Sequence, residues 1–227
     1  MSARDDIFAR LRGALDAGGS AAARHAAVAQ RIATPPRATP TGRVQNVDLV
    51  ETFKLRAEEL GVAVDRLASP GEVGAAISDY LRSRNLAQVV RTSPEIAQKN
   101  ISWPASLTVS SGGTDGDDPV GVTLARAGVA ETGTLILASG AHAPTKLNYL
   151  PETHIVVVAA RDVVATYEQG LDKVRGADKA ALLPRPLLPR TVNWISGPSR
   201  TADIEQTILV GVHGPKRIAV FIVDEMP

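Results

Sequence analysis

There is no cysteine among the 227 residues. Disulfides, thiolate zinc sites, thiol nucleophiles and cysteine-held iron–sulfur clusters are therefore excluded for this chain alone, and any cluster chemistry has to come from a partner. An excess of one charge is missing as well: 25 Lys and Arg stand against 24 Asp and Glu, a formal +1. That balance argues against a surface dedicated to nucleic acid or anionic lipid. Long apolar runs are absent too, since Gly, Pro or a charge interrupts each one before the roughly 18–20 residues of a membrane span. The start, Met1-Ser-Ala-Arg-Asp-Asp-Ile-Phe, has acids where a secretory leader has its apolar run. The expectation is a cytoplasmic protein with no membrane segment.

The composition that remains is that of a globular protein, 44% hydrophobic and 22% charged, with a mean hydropathy of +0.00. Its length suits one large domain, or one domain with an extension. Residues 1–45 differ from the rest. Ile7, Phe8, Leu11 and Leu15 recur at helical spacing and Ala21–Ile32 is rich in helix formers, which predicts two short helices. Thr34–Gly42, with Pro35, Pro36 and Pro40, cannot continue a helix and reads as a linker. The expected organisation is a helical arm with a Pro-rich linker over 1–45 and one α/β domain over 46–227. The arm reads either as a solvated segment or as a partner-docking segment that orders on assembly.

Beyond the linker, helical and strand patterns alternate. A helix is expected over Val47–Leu60 with Gly61 as its stop, then a short strand at Val62–Val64. Ser69-Pro70-Gly71-Glu72 carries the capping signals of a helix running to about Ser83, ended by Asn85. Leu86–Val90 reads as a strand and Ser93–Ile96 as a short helix. Gly121–Ala130, Thr134–Ala138 and Ile155–Ala160 are apolar, β-branched runs, the last typical of a strand buried on both faces. Val163–Val174 has helical character, and Leu182–Pro189 reads as an extended crossover. Thr191–Ile195, Ile208–Val212 and Ile218–Val223 are further strands. This alternation predicts an α/β fold with a mostly parallel sheet flanked by helices.

Chemistry concentrates in turns. Ile195–Glu205 packs Gly197, Ser199, Arg200, Thr201, Asp203 and Glu205 after a strand. It reads either as an anion site, from backbone N–H groups at a strand-to-helix turn plus Arg200, or as a helix start capped by its acids. A nucleophile elbow is excluded, because Thr201 stands where Gly-x-Ser-x-Gly needs its last glycine. Glu131, with Thr132, Gly133 and Thr134, occupies a tight turn between apolar strands, and burying a carboxylate there is costly unless it is paired. General base, covalent nucleophile and acceptor for a ligand hydroxyl are the roles it fits. Gly112 and Gly113 sit in a polar turn that either approaches a phosphate or is merely a loop. Asp115, Asp117 and Asp118 resemble the start of a calcium loop, but Arg126 stands where the bidentate Glu belongs. His25, His142, His154 and His213 show no short ligand spacing, so no metal site is expected. His213, in a turn between two strands, is a candidate proton carrier.

Ala130-Glu-Thr-Gly-Thr134, Leu150-Pro151 before His154-Ile155, Gly197-Pro-Ser-Arg-Thr-Ala-Asp-Ile-Glu205 and Gly211-Val-His-Gly-Pro215 closely resemble the pattern of the LUD family, within it the lactate-utilisation C group. The resemblance runs over about residues 46–225 and leaves out the arm. It implies a fold like that of glucosamine-6-phosphate deaminase, ribose-5-phosphate isomerase and CoA transferases. It also implies a place in the oxidation of L-lactate to pyruvate beside iron–sulfur partner proteins, with no cofactor bound by this chain alone.

In open α/β sheets ligands gather at the carboxyl ends of strands near a topological switch point, and the turns at Gly112, Glu131, Gly197 and His213 all follow strand candidates, so they are expected to converge there. A lactate or pyruvate carboxylate would match Arg200, a ligand hydroxyl Ser199, Thr132 or Thr201, and Glu131 or His213 would move protons. Two other readings compete. One is a stand-alone CoA or acyl transferase with Glu131 as nucleophile, from the partial likeness of Glu131-Thr-Gly133 to a CoA-transferase turn. The other is a non-catalytic sensor of an organic acid or sugar phosphate.

Overall fold

The structure is a computed structural model that describes residues 2–16, 19–34, 47–175, 188–202 and 208–226. The described residues fall into two compact units, one holding the two amino-terminal helices and the other all the rest. In the first, α1 (Ala3–Asp16) and α2 (Ala21–Ala33) match the two expected helices, and Ser20 caps α2 by accepting from the Ala23 N–H. Ile7, Phe8, Leu11 and Leu15 are all exposed. The Pro-rich linker and most of Leu182–Pro189 lie outside the described residues.

The second unit is built on six parallel strands. They are β1 (Ala63–Leu67), β2 (Val89–Thr92), β3 (Thr108–Ser111), β4 (Val120–Leu124), β7 (Thr153–Ala159) and β12 (Arg217–Val223), in the order β1-β12-β7-β4-β2-β3. Every neighbouring pair is parallel, from Ala63 opposite Ala219 to Val89 opposite Thr108. The continuous apolar runs explain why the sheet is covered on both sides. Ile155, Val157, Phe221 and Val223 face one core, with Val73, Ile77 and Leu81 of α4 (Val73–Ser83). Val156, Val158, Val220 and Ile222 face the other, with Phe53 and Ala57 of α3 (Leu49–Glu59).

A second sheet shares that other core. Its strands are β5 (Ala127–Val129), β6 (Thr134–Ala138), β8 (Val163–Val164) and β9 (Val192–Ile195), in the order β8-β5-β6-β9. Its outer face packs Ile136 and Val129 against Tyr167 and Val174 of α5 (Tyr167–Arg175). The ring of Phe53 lies so close to Gly128 that a Cβ there would meet it at 3.0 Å.

Three sequence expectations are corrected. Gly121–Ala130 is two strands in two sheets, because the ladder changes partner at Ala125-Arg126: the Ala125 N–H donates to the Val157 carbonyl of the parallel sheet at 2.9 Å, and the Arg126 N–H to the Ile136 carbonyl of the next sheet at 2.8 Å. Val163–Val174 is not helical throughout: the β-branched Val163 and Val164 pair with Gly128 and Val129, and the helix starts at Tyr167. The start is fixed by Gln169, whose Oε1 accepts from the N–H groups of Ala165 and Thr166. Third, Arg200 does not open a helix. Arg200–Ala202 is β10, antiparallel to β11 (Ile208–Val210), where pairing with a β-branched partner overrides the local capping signals.

Candidate functional site

The sequence-predicted residues divide between two edges of the parallel sheet. Those of the family-like segments gather toward the amino edge, around the end of α3, and not at the expected carboxyl ends, because Tyr149–Glu152 and Gly211–Lys216 lead into the parallel strands β7 and β12 rather than out of them. Gly133, with φ +64°, passes so close to α3 that a Cβ would lie 2.5 Å from the Ala57 nitrogen, and a Cβ on Gly197 would meet Leu60 at 3.1 Å. Two turns more than sixty residues apart in sequence thus rest on one helix end. They are joined by hydroxyls: Thr134 Oγ1 lies 2.7 Å from Thr132 Oγ1, 2.8 Å from the Tyr167 hydroxyl and 2.7 Å from Ser196 Oγ. Three partners saturate a hydroxyl, so Thr132 and Thr134 pin the β5–β6 hairpin to β9.

Arg200 is exposed, and its guanidinium donates to the Leu60 carbonyl at 3.0 Å, closing the carboxyl end of α3. That bond uses one of the five N–H donors of the side chain. Ser199 is clipped to the next loop: its N–H donates to the Pro215 carbonyl and its own carbonyl accepts from the Gly211 N–H, both at 2.9 Å. Thr201 is half-buried in β10 opposite Leu209. Asp203 and Glu205 lie outside the described residues. Gly211–Lys216 and Tyr149–Glu152 together line a hollow of about 480 Å³, into which His213 opens. Leu150-Pro151 and Gly211–Pro215, two of the family-like segments, are therefore walls of one cavity. Beside the polar Glu152, His213 and Lys216, its lining includes the exposed apolar side chains of Tyr149, Leu150 and Val212.

Glu131 follows β5 in the expected turn, its N–H donating to the Ala165 carbonyl at 3.3 Å. The side chain is half-buried, which removes much of the burial cost that singled it out. Among the described residues no hydrogen bond or ion pair links its carboxylate to His213 or Arg200. Gly112 and Gly113 do not join the others. They follow β3 at the carboxyl edge of the sheet, where Gly112 (φ +134°) donates to the Thr92 carbonyl and has open space on its Cβ side. Nearby, Asp115 pairs with Lys146 and Asp118 with Arg91. Among the described residues no group of three or more His, Asp or Glu is placed to hold a metal ion.

Sequence reasoning missed the carboxyl edge of β2 and β4. Glu95 is buried there and meets Arg126 at 3.0 Å. Burial pushes its carboxyl above the usual range, while Arg126, the Leu124 backbone, Lys99 and His142 pull it down. Ser93 is fully buried with no partner for its Oγ. The surrounding sequence, Arg91-Thr-Ser-Pro-Glu95-Ile-Ala-Gln-Lys99, reads merely as a helix start and gives no sign that the carboxylate is buried.

Residues 117–223 match the model of the LUD domain. The chain is 27% identical over 208 residues to a lactate utilization protein C of an Exiguobacterium species, covering 85% of this chain and 89% of that protein. A lactate utilization protein C of Geobacillus thermodenitrificans is 31% identical over 154 residues, covering 60% and 62%. For lactate utilization protein C 1 of Bacillus mycoides identity is 37% over 106 residues, and the chain spans under half of that relative, 44%. A crystal structure of a DUF162 family protein from Deinococcus radiodurans superposes with a TM-score of 0.56 at 22% identity, over 79% of this chain and 99% of that one. It shares the fold.

Proposed function

The chain belongs to the LUD family, and from that premise we propose that it works in lactate utilisation, as a component of the system that oxidises L-lactate to pyruvate. The observation that carries this reading is the meeting of the Glu131–Thr134 and Gly197–Arg200 segments on the end of α3, beside the hollow walled by Leu150-Pro151 and Gly211–Pro215. Family-like segments scattered over 85 residues form one continuous surface. In this reading the carboxylate of lactate or pyruvate takes free donors of Arg200, and Ser199 or Thr201 orients the hydroxyl. Oxidation of lactate to pyruvate releases two protons and two electrons. Glu131 or His213 would accept the hydroxyl proton, and iron–sulfur clusters on partner proteins would take the two electrons as the Cα hydrogen is lost as the second proton, since a chain without cysteine has no thiolates to hold clusters. The exposed apolar side chains of Tyr149, Leu150 and Val212 beside the hollow offer those partners a surface.

The test is L-lactate-dependent dye reduction by the reconstituted partner proteins, with this chain, without it, and with Arg200→Ala or Glu131→Ala. Loss of activity on omission and in the variants supports a working site in these turns. Dependence on the chain with fully active variants makes it a scaffold, and no dependence at all removs the lactate reading.

A further inference from the structure

In the six-stranded sheet the chain leaves β2 toward β3 on one side and leaves β4 toward β7 on the other. The carboxyl ends of β2 and β4 therefore flank the point where the strand order reverses, the place where open parallel sheets take ligands. The residues there are polar. Ser93, Glu95, Thr123 and Asn148 line a void of about 10 Å³, room for one water-sized group. The fully buried, unpartnered Ser93 Oγ lines it, and a hydroxyl left so is costly.

Leu124 lines both this void and a larger hollow of about 210 Å³ at the carboxyl ends of β4, β7 and β12. The walls of that hollow bring together Lys99, Arg126, Arg161 and Lys173 with Asp162 as their acid. Among the described lining residues Arg126, Arg161 and Lys173 stand against one carboxylate, Asp162, with Glu95 behind Arg126 and outside the hollow. Lys173 divides its ammonium between Asp162 at 2.8 Å and the Arg161 carbonyl at 3.3 Å, and Arg161 donates to the neutral Met226 carbonyl. A concave surface with this excess concentrates field and attracts anions.

We propose that this hollow is a binding site for a small dianion, a phosphate monoester or a dicarboxylate, held by Arg126, Arg161 and Lys173, with Arg126 turning from Glu95 to the ligand. With Arg126 turned from Glu95 to the ligand, Arg126, Arg161 and Lys173 face Asp162 as the one described lining carboxylate, which suits a doubly charged ligand better than a monocarboxylate, and the hollow is smaller than the roughly 300–1,000 Å³ of drug-sized sites. Glu95 is suited to release Arg126, because burial already favours its neutral form. The site is distinct from the lactate surface: β7 runs from one edge to the other, and its seven residues span about 20 Å.

The experiment is calorimetric titration of the full chain at neutral pH and low salt with inorganic phosphate, glycerol 3-phosphate, succinate and L-lactate. Saturable 1:1 binding of a dianion is expected, and any binding of L-lactate should be indifferent to Arg126→Gln and Arg161→Gln. Binding of the phosphates alone assigns a phosphate ester, of succinate alone a dicarboxylate, and of both recognition by charge. Arg126→Gln and Arg161→Gln should each weaken binding about tenfold or more, the size of a lost charged hydrogen bond. Glu95→Gln should tighten it several-fold, an effect that loss of structure does not mimic, and Arg200→Ala should leave it unchanged. Lys173→Gln substitutes for any arginine variant whose thermal transition is lost. Absence of saturable dianion binding, or binding indifferent to these substitutions, overturns the proposal and leaves the lactate reading standing, because that reading uses Arg200 at the other edge.

Discussion

Thr123 on β4 and His154 on β7 lie 2.7 Å apart, hydroxyl to Nε2, inside the parallel sheet. His154 is fully buried, and its Nδ1 has no partner. It sits opposite Gly121, where a Cβ would come within 2.8 Å of the Leu147 carbonyl. The imidazole is thus shut off from bulk solvent.

Burial holds the His154 imidazole down at about 3, from an ordinary 6.5. The unfolded chain takes up a proton near pH 6.5 that the folded chain refuses until about pH 3, so this group leaves stability intact above pH 6.5 and erodes it below. Between pH 7 and 5 the loss should come to about 2 kcal/mol, at up to about 1.4 kcal/mol per pH unit. Urea unfolding at both pH values, on the wild type and on His154→Gln, checks this. Equal acid losses in the two proteins would mean that another group carries the effect.

Gly133→Ala places a methyl group against the backbone of Arg56 and Ala57 at a φ of +64°. Strain and overpacking together should cost about 2–4 kcal/mol. Gly112→Ala is the matched control, with positive φ but open space, and should cost about 1 kcal/mol. Denaturant midpoints of the two variants should differ accordingly.

Thr134→Val keeps the shape of a fully buried side chain and removes the hydroxyl shared by Thr132, Tyr167 and Ser196. The stranded partners should lower stability by about 1–3 kcal/mol. An unchanged urea midpoint would show that the network does not hold the hairpin to β9.

Arg200→Ala removes an exposed side chain with one hydrogen bond to a carbonyl. It should change stability by no more than about 1 kcal/mol. If lactate-dependent dye reduction falls while the melting temperature holds, Arg200 acts on the ligand rather than on the fold. A matching fall in both would place it with the helix cap.

Much of the fold was legible because burial on both faces leaves an unbroken apolar record, as in Ile155–Ala159 and Ile218–Val223. Glycine and asparagine marked element ends correctly, since Gly61 and Asn85 both take positive φ after a helix. The division of Gly121–Ala130 between two sheets was not legible, because alternate apolar residues suit either sheet and only Arg126 betrays the turn. The same limit hid the helix-to-strand change at Arg200, where a distant partner decides. For the site, sequence order brought Glu131–Thr134 and Gly197–Arg200 forward through their unusual polarity. Glu95 escaped because its partner Arg126 is 31 positions away, and the position of Gly112 at the opposite edge depends on strand order, which no local pattern encodes.

The edge strand β1 has β12 as its neighbour, with Ala63 opposite Ala219. During synthesis, β1 emerges early and waits for nearly the whole second unit before its ladder partner exists. Until then β1 lacks its ladder partner, so removal of β12 is more damaging than its seven residues suggest.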